Sequence, residues 1–462
     1  MAIRPPGPRG AARPAAAALP RALGAPTLTL LALGAMMGSG LFVASGLVIR
    51  AAGAAALGLY AVGWAAMALE IGALAEMAAA NPVPGSFLVY AREVLGPGWS
   101  FVSGWVYWLS SVLTMSSEVT AAALLSRGWA PGLPLWVWSL GYSAAVIAAN
   151  FASVRGFGAL EGVMAALKIG AVLAFLVVGA TALAGRGAHL AALTGGQGLL
   201  PHGLPGAASG LLLALFAYAG TGVLGMAAAE TRRPATAIPR AAGATVALAG
   251  LLYLGSVLLL LALVPWSRMP ETSSPFVAAL AAAGRPLWAG AMNAVLLTAV
   301  LSTMNAALYA NVRALFGLAE QRQAPARLGR LDRRGIPAAA TWVSAAALGA
   351  TILLAYLLPQ RAYADLVTAT GFQAMFIWLM ILVTHLRYRP LLARTRPGAP
   401  RFRLFGFPLT TLAVIAVVLA ALAGSWSVPA ERVGAAVGLG GIALAALVWL
   451  AARGNLLAHL RR

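Results

Sequence analysis

Twelve times along its 462 residues this chain runs through about twenty or more predominantly apolar residues, and no other property limits its fold so sharply. The runs lie at approximately 23–49, 53–79, 98–126, 134–152, 160–184, 206–229, 240–264, 286–318, 337–358, 362–386, 405–427 and 431–452. About 20 apolar residues are what a helix needs to cross a bilayer. In hydrocarbon each segment must satisfy its own backbone polar groups, so the runs are expected as helices. The expected fold class is an all-α integral membrane bundle of twelve transmembrane helices. At 61% hydrophobic and 9% charged residues, the chain is too apolar for a soluble fold.

Charge supplies the orientation. A formal net charge of +21 by itself fits a nucleic-acid partner, but the basic residues sit in short loops between apolar runs, with no aromatic-interleaved basic domain. With the N-terminus inside, 23 basic residues fall on the cytosolic side and 7 on the outer side, with Lys168 and Arg313 inside spans. That asymmetry places both termini in the cytosol and the chain in the cell membrane as a multi-pass protein in contact with lipid. Residues 1–22, rich in Ala, Pro and Arg, read as a disordered cytosolic tail. Residues 453–462 read as a second cytosolic tail. The first apolar run is too long for a signal-peptide core and no convincing cleavage site follows it, so it reads as a span.

Several chemistries are excluded. There are no cysteines, hence no disulfides, thiolate metal sites or Cys nucleophiles. The four histidines, His189, His202, His385 and His459, fall in or beside expected loops and form no ligand cluster, so neither metal nor cofactor is expected. A phosphate-binding loop would need Lys followed by Ser or Thr, whereas Lys168 is followed by Ile169. No nucleophile and base, and no paired-Asp motif, point to a hydrolase. An enzyme is not expected.

Two stretches stand out: "LGAMMGSGLF" from Leu33 to Phe42, and "YAGTGVLG" from Tyr218 to Gly225. The chain holds 52 glycines, yet Gly-Ser/Thr-Gly occurs only at Gly38-Ser39-Gly40 and Gly220-Thr221-Gly222. Each glycine weakens a helix by roughly 1 kcal/mol. Unwound backbone is tolerated at membrane depth when it lines a cavity or is buried in protein, so both helices are expected to break here. A break exposes N–H groups that attract an anion and carbonyls that attract a cation. A zwitterion suits both: Gly38, Ser39 and Gly40 would offer N–H groups to a carboxylate, while carbonyls near Met36, Phe216 and Ala219 would face an amine. Gly34-x-x-x-Gly38 has a plainer reading as a small-residue packing face.

The two motifs lie in spans 1 and 6. A separation of five helices predicts a five-plus-five repeat, inverted because five is odd. Repeat 1 is 23–184, repeat 2 is 206–386, and helices 11 and 12, over 405–452, lie outside it.

These residues resemble the amino acid-polyamine-organocation superfamily, in the bacterial amino acid transporter (amino acid permease) branch that includes the GABA permease. The similarity covers about residues 23–405. It is carried by "GAMMGSGLF", "AEMAAANPVPGSFLVYAREVLGP" with "SGWVYWLS", "FAYAGTGVLGMAAAETRRPATAIPRA", "STMNAALYANVRALFGLAEQRQAPARL" and "IWLMILVTHLRYR". The resemblance implies the leucine-transporter fold with broken helices 1 and 6, alternating access, and an amino acid substrate. Ser39 and Gly40 match the positions that hold the substrate carboxylate, and Phe216 the aromatic that covers the substrate. Ser111 and Met115 match helix 3 positions lining the pocket; Ala217, Ala219, Gly220 and Thr221 complete the expected site. Many relatives carry Glu where this chain has Gly222, so any coupling or gating role of that carboxylate is absent here.

Lys168 is the only lysine among 32 basic residues. It lies about eight residues into helix 5, roughly 12 Å from the helix end, farther than its side chain can snorkel. An arginine there would stay charged, whereas a buried lysine can give up its proton. The resemblance sharpens this: the matching lysine in proton-coupled relatives occupies the place of a sodium ion in sodium-coupled cousins. Lys168 is therefore a candidate proton-coupling residue, the alternative being a permanently charged structural lysine. Glu118 is a second candidate. It shares a helix 3 face with Ser111 and Met115 at i, i+4, i+7 spacing, and could meet a cationic group, relay protons or serve structure alone.

Elsewhere, Glu70 and Glu76 lie on helix 2, Glu76 as an interfacial structural group. Glu230 with Arg232, Arg233 and Arg240 is expected as a cytosolic ion-pair cluster. Arg313 can snorkel, and Asn305 could bond across helices or reach the pocket. The reading is a proton-coupled amino acid symporter. An amino acid exchanger of the same fold is the nearer alternative and a non-transporting amino acid sensor the more distant one.

Overall fold

The computed structural model describes residues 21, 23–152, 157–184, 198–271, 273–332, 336–357, 362–395, 402–429 and 431–461. Apart from Arg21, the expected tail at 1–22 lies outside the described residues, as do His189, the side chain of His459 and part of the basic loops.

A helix lies on every one of the twelve apolar runs. In chain order they are α1 (Ala25–Met36), α2 (Ser39–Phe42), α3 (Ala44–Ala52), α4 (Ala56–Ala80), α5 (Phe87–Leu95), α6 (Pro97–Ser126), α7 (Leu135–Ala152), α8 (Phe157–Ala184) and α9 (Gly203–Phe216). Then follow α10 (Gly222–Met226), α11 (Pro234–Ala249), α12 (Gly255–Leu263), α13 (Pro275–Ala282), α14 (Pro286–Glu320), α15 (Ala338–Leu357), α16 (Ala362–Thr395), α17 (Leu409–Ser427) and α18 (Arg432–Arg461). No strand is found among the described residues; one isolated bridge joins Leu23 to Thr231. Eight described helices are long and apolar enough to cross a membrane, with shorter apolar helices at Ala25–Met36, Gly203–Phe216 and Ala338–Leu353.

Local sequence explains most boundaries. Gly96, at φ +94°, ends α5, and Pro97 starts α6, the arrangement expected of a C-terminal glycine and a proline that needs no N–H partner. Between α11 and α12 a π turn at Gly250–Leu254 interrupts the ladder, and Trp64 Nε1 donates to the Val246 carbonyl at 2.8 Å. Two helices overrun their apolar runs: α16 continues to Thr395 and α18 to Arg461. Hydropathy marks where a helix leaves apolar surroundings, while arginine is a good helix former and carries the ladder further.

Packing separates inner from outer helices. The windows of α6 and α16 that could span a membrane are mostly buried inside the protein, whereas less than a third of those of α8, α17 and α18 is buried. Outward side chains there include Val163, Val177, Leu419, Leu444 and Leu447. A helix apolar on all faces, with leucines facing out, fits a lipid-facing surface. The most extensive pairing is α6 on α14, tied by Asn311 Nδ2 to the Trp108 carbonyl at 2.8 Å.

The arginine-rich end of the bundle is locked by one carboxylate. Glu76 on α4 accepts from the Leu404 N–H at 2.7 Å and contacts Arg389 and His385 of α16, each at 3.3 Å. His385 is fully buried within α16, so the expectation that it sits at a loop is corrected by the longer helix.

Candidate functional site

Both Gly-Ser/Thr-Gly motifs are breaks in helices. After α1, Met37 (φ −82°, ψ 75°) and Gly38 (φ −122°, ψ −154°) leave helical geometry before α2 begins at Ser39. After α9 the chain unwinds until α10 starts at Gly222, with Gly220 at φ +114°. The breaks touch one another. A Cβ on Gly220 would lie 2.9 Å from the Ala35 carbonyl carbon, and one on Gly40 would lie 3.1 Å from Ala217 Cα. The glycines are needed because backbone meets backbone here. Gly34 is different: it stays helical, and its Cβ would meet Ala165 at 3.1 Å, a packing position.

A cavity of about 140 Å³ lies at the junction. Met36, Gly38 and Gly40 line it from the first break; Phe216, Ala219, Gly220, Thr221 and Gly222 from the second; Ser111 and Glu118 from α6; Thr303 from α14 and Trp378 from α16. Three expected residues are not on its wall. Ser39 is fully buried behind it, Ala217 is buried against Gly40, and Met115 packs with Val112, Met304 and Leu308. The wall of α6 runs through Tyr107, Ser111, Thr114 and Glu118, a stripe that leaves Met115 to one side at 100° per residue. Tyr107, Thr114, Thr303 and Trp378 were not singled out from sequence.

The anion at the first break is a side chain. Glu118 accepts the Ser39 N–H at 3.0 Å on both oxygens and the Ser39 hydroxyl at 3.0 Å. The Gly38 N–H, expected to face a ligand, donates instead to the Met36 carbonyl at 3.0 Å. That carbonyl also accepts from the Tyr253 hydroxyl at 3.0 Å, and the Phe216 carbonyl accepts the Ala219 N–H at 2.8 Å. Among the described residues, no protein group pairs with the Gly40 N–H or the Ala219 carbonyl.

Lys168 approaches the first break from behind. It is 1% exposed, and its Nζ donates to the Gly34 carbonyl at 2.8 Å and to Thr303 Oγ1 at 2.7 Å. One amine thus joins α8, α1 and α14. The sequence reading passed over Glu161, which precedes Lys168 by seven residues and so shares its helix face. Glu161 accepts from Ser302 Oγ at 3.0 Å and from Asn305 Nδ2 at 3.2 Å, and Asn305 Oδ1 accepts from Asn150 Nδ2 at 2.6 Å. Asn305 therefore bonds across helices.

Other expectations are resolved. Among the described residues no ion pair joins Glu230 to Arg232, Arg233 or Arg240. Instead the backbone of this segment pairs with the start of α1: Leu23 N–H donates to the Glu230 carbonyl and Arg232 N–H to the Leu23 carbonyl, both at 3.0 Å. Backbone pairing fixes the segment and leaves the arginines to solvent. Arg313 lies over the Tyr309 ring, 5.1 Å from its centre. Glu70 is fully buried and takes part in no ion pair.

A second cavity of about 530 Å³ lies at the opposite end of the bundle, lined by Arg50, His202, Ser209, Glu271, Tyr363 and Glu431 among others. Tyr363, on the wall of this second cavity, donates its hydroxyl to the Ser39 carbonyl at 3.1 Å. Arg50 pairs with Glu271 at 3.0 Å. Glu431, between α17 and α18, accepts from Ser209, and burial pushes its carboxyl up to about 7. Its folded value exceeds the unfolded one, so the folded state binds the proton more tightly. The contribution of Glu431 to thermal stability in detergent is expected to be full below its ordinary value of 4.5 and to be lost as pH rises through about 7, so wild type minus Glu431→Gln should show that fall.

Comparison with known proteins finds matches along most of the chain. Residues 27–451 match the family model described as amino acid permease. The chain is 34% identical over 420 residues to the uncharacterized amino acid permease YtnA of Bacillus subtilis, covering 89% of this chain and 90% of that one. It is 34% identical over 396 residues to the gamma-aminobutyric acid permease of B. subtilis, covering 84% of each. To the aromatic amino acid transport protein AroP of Escherichia coli O6:H1 it is 36% identical over 366 residues, covering 78% and 80%.

Proposed function

Because the chain belongs to the amino acid permease family, we propose that it carries an amino acid across the cell membrane by alternating access, coupled to a proton. The observation that carries the proposal is the pairing of a ligand-sized cavity at two touching helix breaks with a single buried lysine on the other side of one of them. The proposed topology has twelve spans, two inverted five-helix repeats and cytosolic termini.

In this reading the Gly40 N–H and the Ser39 region take the substrate carboxylate, the Ala219 carbonyl takes its ammonium, and Phe216 and Trp378 flank its side chain. Glu118 holds the Ser39 N–H while no carboxylate is bound there. Substrate and Glu118 compete for that donor, so binding displaces Glu118 and frees its carboxylate for a proton or the substrate amine. Lys168 senses the same event from behind, since its two acceptors, Gly34 and Thr303, belong to the breaking helix and to the cavity wall. A proton on Lys168 strengthens both bonds through its charge; its loss leaves two N–H donors and weakens the tie between α1 and α14. This fits the rule that ionisable groups inside a membrane bundle carry function.

The test is uptake of a panel of labelled amino acids into liposomes containing the purified protein, with and without an inward proton gradient. The relatives named for gamma-aminobutyric acid and for aromatic amino acids make these the first substrates to try. Uphill accumulation of one amino acid that depends on the gradient is the expected result. Flux seen only in liposomes preloaded with amino acid would establish an exchanger, and binding without flux a sensor.

A further inference from the structure

We propose that Glu161 is the group through which the proton held at Lys168 leaves toward the arginine-rich side of the membrane, by a path separate from the substrate cavity. This rests on the proton-coupled reading above.

Four observations meet at this carboxylate. It is 6% exposed and lies four residues into α8, about 6 Å from the start of the helix, while Lys168 lies about 10 Å farther along the same face. The hydroxyl that Lys168 engages and the hydroxyl that Glu161 engages belong to neighbouring residues of α14, Thr303 and Ser302. Asn305 holds the second oxygen, and Asn150, donating to Asn305, extends the polar chain to α7. Thr303 lines the substrate cavity, but Glu161, Ser302, Asn305 and Asn150 do not.

A carboxylate is a costly choice for a helix tie. Ionisable side chains inside membrane-spanning helices are rare because a charge there is expensive. Both bonds to Glu161 come from neutral donors, one on each oxygen, and an amide in its place would keep one of them. What the acid adds is the capacity to take a proton. From α8 the facing charge is Lys168, from α14 Ser302 and Asn305, and from α7 Asn150 through Asn305; Glu118, the next carboxylate, is held on Ser39. In the transfer, carried by water between the Thr303 and Ser302 hydroxyls, the Lys168 ammonium loses one N–H bond and Glu161 gains one O–H bond, leaving both neutral. The acid then releases that proton to water at the arginine-rich end and returns to the carboxylate.

The experiment compares wild type, Glu161→Gln and Glu161→Asp in liposomes, with the labelled amino acid that wild type takes up fastest in the panel. Two quantities are read: exchange at equal pH, and the initial rate of accumulation under an inward proton gradient. If wild type shows no gradient-driven accumulation, the proton-coupled reading fails, whatever Glu161 does. If wild type accumulates, Glu161→Gln is expected to exchange within about twofold of wild type yet accumulate at least tenfold more slowly, with Glu161→Asp restoring most of the loss. Unchanged accumulation in Glu161→Gln would overturn the proposal. So would equal loss of exchange and accumulation in both variants, which would make Glu161 a structural tie.

Discussion

Lys168→Met is expected to bring the internal and external amino acid to equal concentrations in liposomes across which wild type, under a one-unit inward pH gradient, accumulates it about tenfold. Each pH unit supplies about 1.4 kcal/mol per proton, a factor of ten in concentration for one-to-one coupling. The steady-state ratio is the informative quantity. Losing the Nζ leaves the Gly34 carbonyl without its donor, at a cost of about 1–3 kcal/mol in stability. That cost lowers the number of working molecules and slows uptake, but in a tight liposome it does not change the ratio at which uptake stops. Lys168→Arg separates charge from proton exchange: arginine keeps donors and charge yet does not deprotonate. The arginine variant is also expected to lose accumulation. If it accumulates like wild type, Lys168 is a fixed structural charge.

How far this arrangement can be read from sequence follows from what each signal encodes. The helices were legible because a bilayer demands long apolar runs, and a helix lies on every run. The two breaks were legible because Gly-Ser/Thr-Gly is rare even in this glycine-rich chain. Lys168 stood out as the single lysine. Three things were not legible. The engagement of Ser39 by Glu118 depends on the rotation of α6 and on a contact 79 residues away in sequence. Met115 shares its spacing with Ser111 and Glu118, but a face defined by i, i+4, i+7 is broad enough to straddle the edge of a cavity. Glu161 carried a usable signal, its seven-residue spacing from Lys168, yet sat close enough to the end of an apolar run to pass for an interfacial group. The expected Glu230 cluster failed for a different reason: neighbouring opposite charges at a solvated helix end gain little by pairing.

Glu118 and Lys168 together give the first break two opposite partners. The carboxylate grips the Ser39 side, and the amine grips the Gly34 side. In the proposed mechanism, displacing the first loosens α2 and deprotonating the second weakens the hold on α1, which would tie substrate binding and proton loss to one segment.

That segment must also stay in contact with the second break, and here Gly220→Ala is expected to reduce transport at least tenfold per folded molecule. Two penalties combine. At φ +114° a residue with a Cβ is strained by about 1–3 kcal/mol. The added methyl would also lie 2.9 Å from the Ala35 carbonyl carbon and oxygen and 3.1 Å from the Met36 nitrogen. All three are backbone atoms and cannot rotate aside, so the two breaks must separate. The control is Gly243→Ala on α11, where a Cβ would meet nothing within 4 Å and alanine favours the helix by about 1 kcal/mol. That variant is expected to transport like wild type and to melt at an equal or higher temperature. Monodisperse elution in detergent, followed by initial rates in liposomes, distinguishes a misfolded Gly220→Ala from a folded one that cannot move. A folded variant with wild-type rates would show that the contact between the breaks is incidental to transport.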